Sequence, residues 1–234
     1  MDKDNIYTKM QREFYEENAP KMTVLNHKFH NANVNYWDVL LSPIEENIAK
    51  WKGKLALDLG CGCGRNLTNM HRLGEFAEVH GVDMSKSILK EAEKWLEKDG
   101  VPTDVYKLIH SNGVDLSGIK KTTYSFVMST LVFQHIAVHD IRYSLMSEAY
   151  RVLKRKGVFS FQMGFGEGAA TVDYFDNFYE AKETNSKCDV RVLDPQNIVD
   201  DLKKIGFNKV EYKILPSFSD GNHPNWIYVT AIKK

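Results

Sequence analysis

Short apolar runs alternate with amphipathic stretches through the central part of the chain. Five runs have the length and the aliphatic character of buried strands, at 55–59, 78–82, 105–110, 124–129 and 158–162. Apolar residues recur at helical spacing between some of them, at 66–72, 85–98 and 140–153. Strands and helices that alternate at this spacing predict an α/β fold with a parallel sheet and helices on both faces.

The N-terminal residues and one internal segment depart from this alternation. Residues 1 to about 50 predict an N-terminal helical cap ahead of a core at 51–234. Apolar residues recur at helical spacing before Pro20, which ends the first cap helix, and Ser42-Pro43 is typical of the start of a second. Residues from about 164 to 190 predict an inserted lid that is partly helical around 173–183.

Three further segments complete the predicted core. The basic residues of 154–157 are interpreted as the end of a helix with Gly157 as its stop. Asp194-Pro195 predicts another helix start. Two final strands are predicted at 208–215 and 226–232.

Composition excludes several classes of protein. The 234 residues are 43% hydrophobic and 26% charged, which predicts a folded core rather than disorder. The 31 basic and 31 acidic residues cancel, which argues against a nucleic-acid partner, because such proteins need a basic field. No apolar run approaches the roughly 20 residues of a membrane span, and no signal-peptide core follows the polar N-terminus. We therefore expect a cytoplasmic protein without a membrane partner.

The stretch at 55–67 is the strongest local signal in the chain. Gly60, Gly62 and Gly64 directly follow an apolar strand that ends in Asp58 and Leu59. Glycines allow positive φ angles and let a ligand approach the backbone, and the free N–H groups at a helix start favour polar or anionic groups. The spacing differs from the dinucleotide form, and an acid on the first strand suits a cationic ligand group better than pyrophosphate.

Asp83 is the second signal. It ends the second predicted strand about 20 residues after the turn, where an acid that binds ribose hydroxyls is found in nucleotide-binding folds. The alternative interpretation is a helix N-cap ahead of residues 85–87. Cys61 and Cys63 form only a C-x-C pair without zinc-like spacing nearby, and we interpret them as small packed side chains with no metal.

Four motifs in order resemble those of class I S-adenosylmethionine-dependent methyltransferases. They are D-L-G-C-G-C-G-R at 58–65, G-V-D-M-S at 81–85, N-G-V-D-L at 112–116 and S-T-L-V-F-Q-H-I at 129–136. The resemblance covers roughly residues 53 to 163. It implies a Rossmann-like, seven-stranded, mostly parallel sheet whose last strand is antiparallel. It also implies S-adenosylmethionine as cofactor and S-adenosylhomocysteine as product.

The resemblance also implies roles for individual residues around the cofactor. Asp58 would bind the methionine amino group directly or through water, and Asp83 the ribose hydroxyls. The other residues implied at this site are Gly60, Cys61 and Gly62 under the methionine and ribose, Met84, Asn112 and Gly113 near the adenine, and Thr130 and Leu131 on the methionine side. Tyr15 and Trp37 are candidates to cover the cofactor, with packing of the cap as the alternative.

Catalytic and acceptor-binding residues are less constrained by the pattern. His135 follows the fourth strand at the carboxyl edge of the sheet and is the candidate general base, with a structural histidine as the alternative. The candidate acceptor-binding residues are His27, His30, Gln162, Tyr174 and His223, and packing of the lid is the alternative for the aromatic ones.

The resulting functional hypothesis is methyl transfer to the oxygen or nitrogen of a small-molecule acceptor. The cap and two of the motifs resemble bacterial methyltransferases of sugar or surface-polysaccharide biosynthesis, which suggests a sugar or related metabolite. The alternatives are a lipid, a quinone or another natural product, or a protein that binds S-adenosylmethionine without catalysis. We expect a monomer or a homodimer.

Overall fold

The fold is described from a computed structural model. The described residues are 5–22, 51–74, 76–184, 188–217 and 222–234. The predicted cap is therefore described only at its start, where helix α1 spans Ile6–Asn18 and a 3-10 turn spans Ala19–Lys21. The second predicted cap helix lies almost wholly outside the described residues.

Seven strands form one sheet. They are β1 (Leu55–Leu59), β2 (Glu78–Asp83), β3 (Tyr106–His110), β4 (Tyr124–Ser129), β5 (Leu153–Phe165), β8 (Phe207–Pro216) and β9 (Asn225–Lys233). Two short strands, β6 (Val172–Asp173) and β7 (Val190–Arg191), pair separately. The sheet order is β3-β2-β1-β4-β5-β9-β8.

The direction of the strands confirms the predicted fold class. All pairs from β3 to β5 are parallel, whereas β9 runs antiparallel to both of its neighbours, β5 and β8. Strand order reverses between β1 and β4, so a crevice opens at the carboxyl ends of these two strands. The predicted Rossmann-like sheet with an antiparallel last strand is therefore present.

Four helices follow α1 in the described part of the chain. They are α2 (Arg65–Gly74), α3 (Lys86–Lys98), α4 (His139–Val152) and α5 (Pro195–Ile205). Local sequence accounts for their ends: the Ser85 side chain accepts the Ile88 N–H at the start of α3. Asp194 and Pro195 begin α5, and Gly206 ends it with a φ of 122°. None of the described helices is long and apolar enough to cross a membrane.

The sheet carries a core on each face because successive side chains of a strand point in opposite directions. Leu57, Val127 and Phe159 belong to one buried cluster, which packs against α4 and α5. Phe126 belongs to the other cluster, with Trp51 and the residues of α2 and α3. The aromatic ring of Phe126 lies 4.8 Å from that of Trp51, centroid to centroid.

Two sequence-based expectations about local structure were wrong. Residues 154–157 are the first part of β5 rather than a helix end, because α4 stops at Val152 and the fully buried Leu153 pairs with Tyr124 of β4. Residues 173–183 contain no helix. Tyr174 is buried there with its hydroxyl bonded to Asp201, so tertiary contacts fix this segment in an extended and turning path.

The Phe126 contacts predict a large loss of stability on truncation. We expect Phe126→Ala to lower the free energy of unfolding by about 3–5 kcal/mol, since it removes a fully buried ring from an aromatic cluster. Urea unfolding followed by circular dichroism measures this change. Tyr212→Ala is the control, because Tyr212 is 48% exposed and should cost less than about 0.5 kcal/mol. Equal effects of the two variants would contradict the assignment of this core.

Candidate functional site

The glycine turn between β1 and α2 is fixed to the end of β2. The N–H groups of Gly60 and Cys61 both donate to the carbonyl of Val82, at 2.8 and 3.0 Å. Gly60 has a φ of 76°, and a Cβ atom there would overlap the side chain of Val132. Glycine is required at this position for both its backbone angle and the close approach of the next segment.

A cavity of about 650 Å³ lies above this turn, at the carboxyl ends of the parallel strands. Its wall comes from α1, the glycine turn, the end of β2 and the segment after β4. Sequence-predicted residues in the wall are Tyr15, Gly60, Cys61, Gly62, Asp83, Met84, Gly113, Thr130, Leu131, His135 and His223. Residues far apart in the chain are thus brought to one place.

Asp58 lies beneath the wall rather than in it. Its side chain is buried, and neither carboxylate oxygen makes a hydrogen bond within the protein. Burial raises the pKa of Asp58 to about 7, although the positive charge of Arg65 opposes the shift. A buried carboxyl group without a partner is costly, and a cationic or hydrogen-bonding ligand group would satisfy it.

Asp83 is held at the cavity wall by backbone donors. Its two carboxylate oxygens accept the N–H groups of Gly62 at 3.1 Å and Ser85 at 3.0 Å. Burial raises the pKa of Asp83, while these hydrogen bonds act in the opposite direction. Ser85 itself caps α3, so Asp83 is not the side chain that caps this helix. A carboxylate fixed in this way has lone pairs left for a ligand.

Met84 and Gly113 meet on one side of the cavity. A Cβ atom at Gly113 would lie 2.8 Å from the methyl carbon of Met84, so the two residues pack closely. Asn112 is turned away from the cavity, and its side-chain oxygen accepts the N–H groups of Val114 and Asp115 at 2.8 and 2.9 Å. The structure therefore gives Asn112 a place in a turn and does not bring it to the wall.

The residues after β4 form the opposite side. The hydroxyl of Thr130 accepts a hydrogen bond from Asn66 at 2.7 Å. Leu131 has a φ of 56°, and its N–H donates to the side-chain oxygen of Gln162 at 3.1 Å. Gln162 is fully buried behind the wall and bonds Gln134, so it supports this side of the cavity without lining it.

His135 reaches the cavity with a carboxylate behind it. The His135 Nδ1 atom lies 2.7 Å from the Asp189 Oδ1 atom, and the His135 side chain is 30% exposed. The other carboxylate oxygen of Asp189 lies 3.8 Å from Nε2 of His223. Desolvation alone would raise the pKa of Asp189, but the two histidines outweigh it and hold that pKa below its usual range.

Helix α1 joins the two sides of the cavity. Gln11 and Tyr7 both donate to the backbone carbonyl of His135, at 2.8 and 3.2 Å. At the other end of α1, the Glu16 carboxylate accepts the N–H groups of Lys86 and Ser87 at the start of α3. Tyr15 lies between these contacts, in the cavity wall.

Some predicted residues are not brought to the site. Tyr174 lies outside the cavity wall, where its hydroxyl donates to Asp201, which also bonds His139 at 2.7 Å. His27, His30 and Trp37 lie outside the described residues. Cys61 and Cys63 do belong to the cavity wall, and both are buried free cysteines. Burial raises the pKa of Cys63 to about 11. Among the described residues, no cluster of His, Cys, Asp and Glu side chains could hold a metal ion.

Sequence reasoning missed Asp189 and Gln11. Asp189 directly precedes β7, in a segment without apolar periodicity, and nothing in its neighbourhood distinguishes it from a surface acid. Gln11 follows Met10 on α1 and could have been expected to share the buried face with Tyr7, which is one helical turn earlier.

The raised pKa of Asp58 predicts a pH-dependent stability. Its pKa of about 7 exceeds the ordinary value of 3.8, so the folded protein retains a proton that the unfolded chain releases. The contribution of Asp58 to the free energy of unfolding is complete below about pH 4. Up to about 4 kcal/mol of this contribution is lost as the pH rises to about 7. Urea unfolding between pH 4 and 8 should show this loss in the ligand-free protein, and Asp58→Asn should remove it. Asp104→Asn, at an exposed position, is the control that should keep it.

Comparison with known proteins finds similarity to methyltransferases in the central part of the chain. A family model described as a methyltransferase domain matches residues 57–161. Human (Homo sapiens) arsenite methyltransferase is 38% identical over 108 residues, which are 43% of this chain and 28% of that protein. The chain therefore spans less than a third of the length of this relative.

Solved structures share the fold over nearly the whole chain. Magnesium protoporphyrin IX methyltransferase from Synechocystis PCC 6803, with bound S-adenosylhomocysteine, has a TM-score of 0.68 at 15% identity and covers 97% of this chain and 99% of its own. Phosphoethanolamine N-methyltransferase 2 from Haemonchus contortus, in complex with phosphomonomethylethanolamine and S-adenosylhomocysteine, has a TM-score of 0.66 at 19% identity, covering 95% of this chain and 60% of its own. Together with the sheet order, these likenesses show that the chain has the fold of class I S-adenosylmethionine-dependent methyltransferases, and the match to the methyltransferase domain covers residues 57–161, less than half of the chain.

Proposed function

We propose that this protein transfers a methyl group from S-adenosylmethionine to an oxygen or nitrogen atom of a small-molecule acceptor. The observation that carries the proposal is the Asp83 carboxylate, held by the N–H groups of Gly62 and Ser85 at the wall of a cavity of about 650 Å³, a size typical of ligand pockets. A sugar or a related hydroxylated metabolite is the acceptor that we favour within this class.

The residues of the cavity fit the cofactor. Asp58, beneath the cavity wall, offers a buried carboxyl group without a partner, which suits an ammonium group bound directly or through water, and Asp83 offers acceptors for two ribose hydroxyls. Gly62 leaves its backbone uncovered, since a Cβ atom there would meet nothing within 4 Å. When bound, S-adenosylmethionine supplies a methyl group on a sulfonium centre.

The remaining cofactor residues of this proposal follow the cavity wall. They are Gly60, Cys61, Met84, Gly113, Thr130, Leu131 and Tyr15. Asn112 is left out, because its side-chain oxygen is used within a turn. A role for Trp37 remains a prediction from the sequence.

On the acceptor side, we assign His135 as the general base and His223 as a binding residue, since both lie in the wall. Gln162 and Tyr174 are left out, because neither lines the cavity and each has a buried partner, Gln134 and Asp201 respectively. His27 and His30 remain predictions. The division into a cap at 1–50 and a core at 51–234 with a lid at about 164–190 is likewise proposed.

A protein that only binds S-adenosylmethionine is the alternative. The site supports catalysis over that alternative because a hydrogen-bonded histidine and carboxylate share the cavity with the cofactor residues. A general base beside the cofactor is worth about 10²- to 10⁴-fold in rate.

The ribose assignment predicts the effect of removing Asp83. We expect Asp83→Ala to weaken S-adenosylmethionine binding by roughly 10- to 150-fold, the loss of hydrogen bonds to a charged group worth about 1.5–3 kcal/mol. Isothermal titration calorimetry with S-adenosylmethionine measures the change, and Asp104→Ala, on the surface, should bind as the natural protein does.

The same titration with S-adenosylhomocysteine should show the same ratio, because the ribose is common to both molecules. Melting temperatures of the variants identify any disturbance of the glycine turn. Unchanged affinity in Asp83→Ala, with the fold intact, would refute the ribose assignment.

A further inference from the structure

We propose that His135, Asp189 and His223 form one acceptor-binding unit for a small molecule with two neighbouring hydroxyl groups, one of which is methylated. In this unit His135 accepts the proton of the reacting hydroxyl, Asp189 positions His135, and His223 binds the second hydroxyl. The inference rests on the proposed function and specifies its acceptor.

The carboxylate of Asp189 is placed between the two imidazoles. Its Oδ1 atom lies 2.7 Å from Nδ1 of His135, and its Oδ2 atom lies 3.8 Å from Nε2 of His223. The first distance is a short charge-assisted hydrogen bond, and the second is too long for one. The Asp189 side chain is 3% exposed, so its negative charge acts on these two rings with little screening by solvent.

The orientation of His135 follows from this contact. An ionised carboxylate only accepts hydrogen bonds, so Nδ1 of His135 carries the proton and Nε2 keeps a free lone pair. The backbone of the residue is fixed as well, because Gln11 and Tyr7 donate to its carbonyl. His135 is thereby a fixed proton acceptor at the cavity wall.

The unpartnered ring of His223 is the reason to expect a second polar group on the acceptor. Its side chain is 1% exposed, and neither ring nitrogen has a hydrogen-bond partner, although the residue contributes to the cavity wall. A buried polar group left without a partner costs about 1–3 kcal/mol. The ring also lies against Gly164, where a Cβ atom would overlap it. A residue with a side chain at position 164 would therefore displace this imidazole.

A hydroxylated acceptor satisfies both histidines. A hydroxyl group can donate to one ring nitrogen and can also accept from another. Because both rings lie within 4 Å of the Asp189 carboxylate, hydroxyl groups that reach the two rings would lie close together. A general base matters for a hydroxyl because its pKa is far above 7, whereas an amine needs only to arrive unprotonated. The pair of histidines therefore favours a diol over an amine or an isolated hydroxyl.

The reaction balances with these groups alone. The acceptor oxygen forms the new bond to the methyl carbon, and the carbon–sulfur bond breaks with both electrons remaining on sulfur. The proton of the hydroxyl goes to Nε2 of His135, and it leaves to solvent after product release. The products are a methyl ether and S-adenosylhomocysteine.

The first test compares matched acceptors. Methyl hexopyranosides with vicinal hydroxyls, their monodeoxy derivatives and their amino derivatives are incubated with the full chain and S-adenosylmethionine, and S-adenosylhomocysteine formation is measured. We expect turnover of the vicinal diols and at least a tenfold lower kcat/KM for the derivatives that lack one hydroxyl. Turnover of the amines alone, or of no compound while the cofactor binds, would overturn the proposal.

The second test separates the two histidines. His135→Ala should lower kcat by about 10²- to 10⁴-fold with a small change in KM. His223→Ala should raise KM for the diols and remove the discrimination against the monodeoxy compounds. His223→Gln, which keeps a donor and an acceptor, should recover part of this discrimination. Equal losses for diol and monodeoxy compounds in both His223 variants would refute its role.

The third test isolates the positioning role of Asp189. In Asp189→Asn the amide can donate to Nδ1, so ¹⁵N spectra of the imidazoles should show His135 leaving its Nδ1–H form, and kcat should fall. Asp201→Asn is the matched control, because Asp201 makes a 2.7 Å contact with His139 and is equally buried, but lies outside the cavity wall. An unchanged His135 tautomer and kcat in Asp189→Asn would overturn the positioning role.

Calorimetry with S-adenosylmethionine accompanies all three tests. If the natural chain does not bind S-adenosylmethionine, the proposed function itself is refuted. Cofactor binding that persists without any preference for diols would refute only the acceptor assignment.

Discussion

The carbonyl of Val82 receives the N–H groups of both Gly60 and Cys61, and the rest of the site depends on this contact. It folds the end of β1 over the end of β2, which brings Gly62 to the Asp83 carboxylate. Any side chain at Gly60 would push Val132 away and open the floor of the cavity. A sheet edge thus becomes a binding surface through two backbone hydrogen bonds and the absence of one Cβ atom.

Three acids lie at the cavity wall or beneath it, and each has a different set of partners. Asp58 has no partner, and burial raises its pKa to about 7. Asp83 is compensated by backbone N–H groups, and Asp189 by two histidines. Asp58 therefore gains the most from a ligand that pairs with it, whereas the lowered pKa of Asp189 favours the ionised carboxylate that positions the neighbouring histidines.

The sequence predicted those features whose signals are local. The glycine turn, Asp83 and the segment of Thr130 and Leu131 each follow an apolar strand, and parallel strands bring their carboxyl ends together. Asp189 could not be found in this way, since its partner His135 is 54 residues away and no pattern links them. The lack of helix around Tyr174 was missed for the same reason, because a contact with Asp201 overrides local preference.

Leu131 shows how the cavity depends on the register of the sheet. Its φ of 56° is unusual for leucine, and its N–H donates a hydrogen bond to the side-chain oxygen of Gln162. Gln162 stands one residue beyond Phe161, which pairs with Ser129 of β4. A slip of one residue between β4 and β5 would turn Gln162 to the other face. The strands could then still pair, but the Leu131 side of the cavity would lose the hydrogen bond that supports it. Formation of the binding site therefore requires the correct register between β4 and β5.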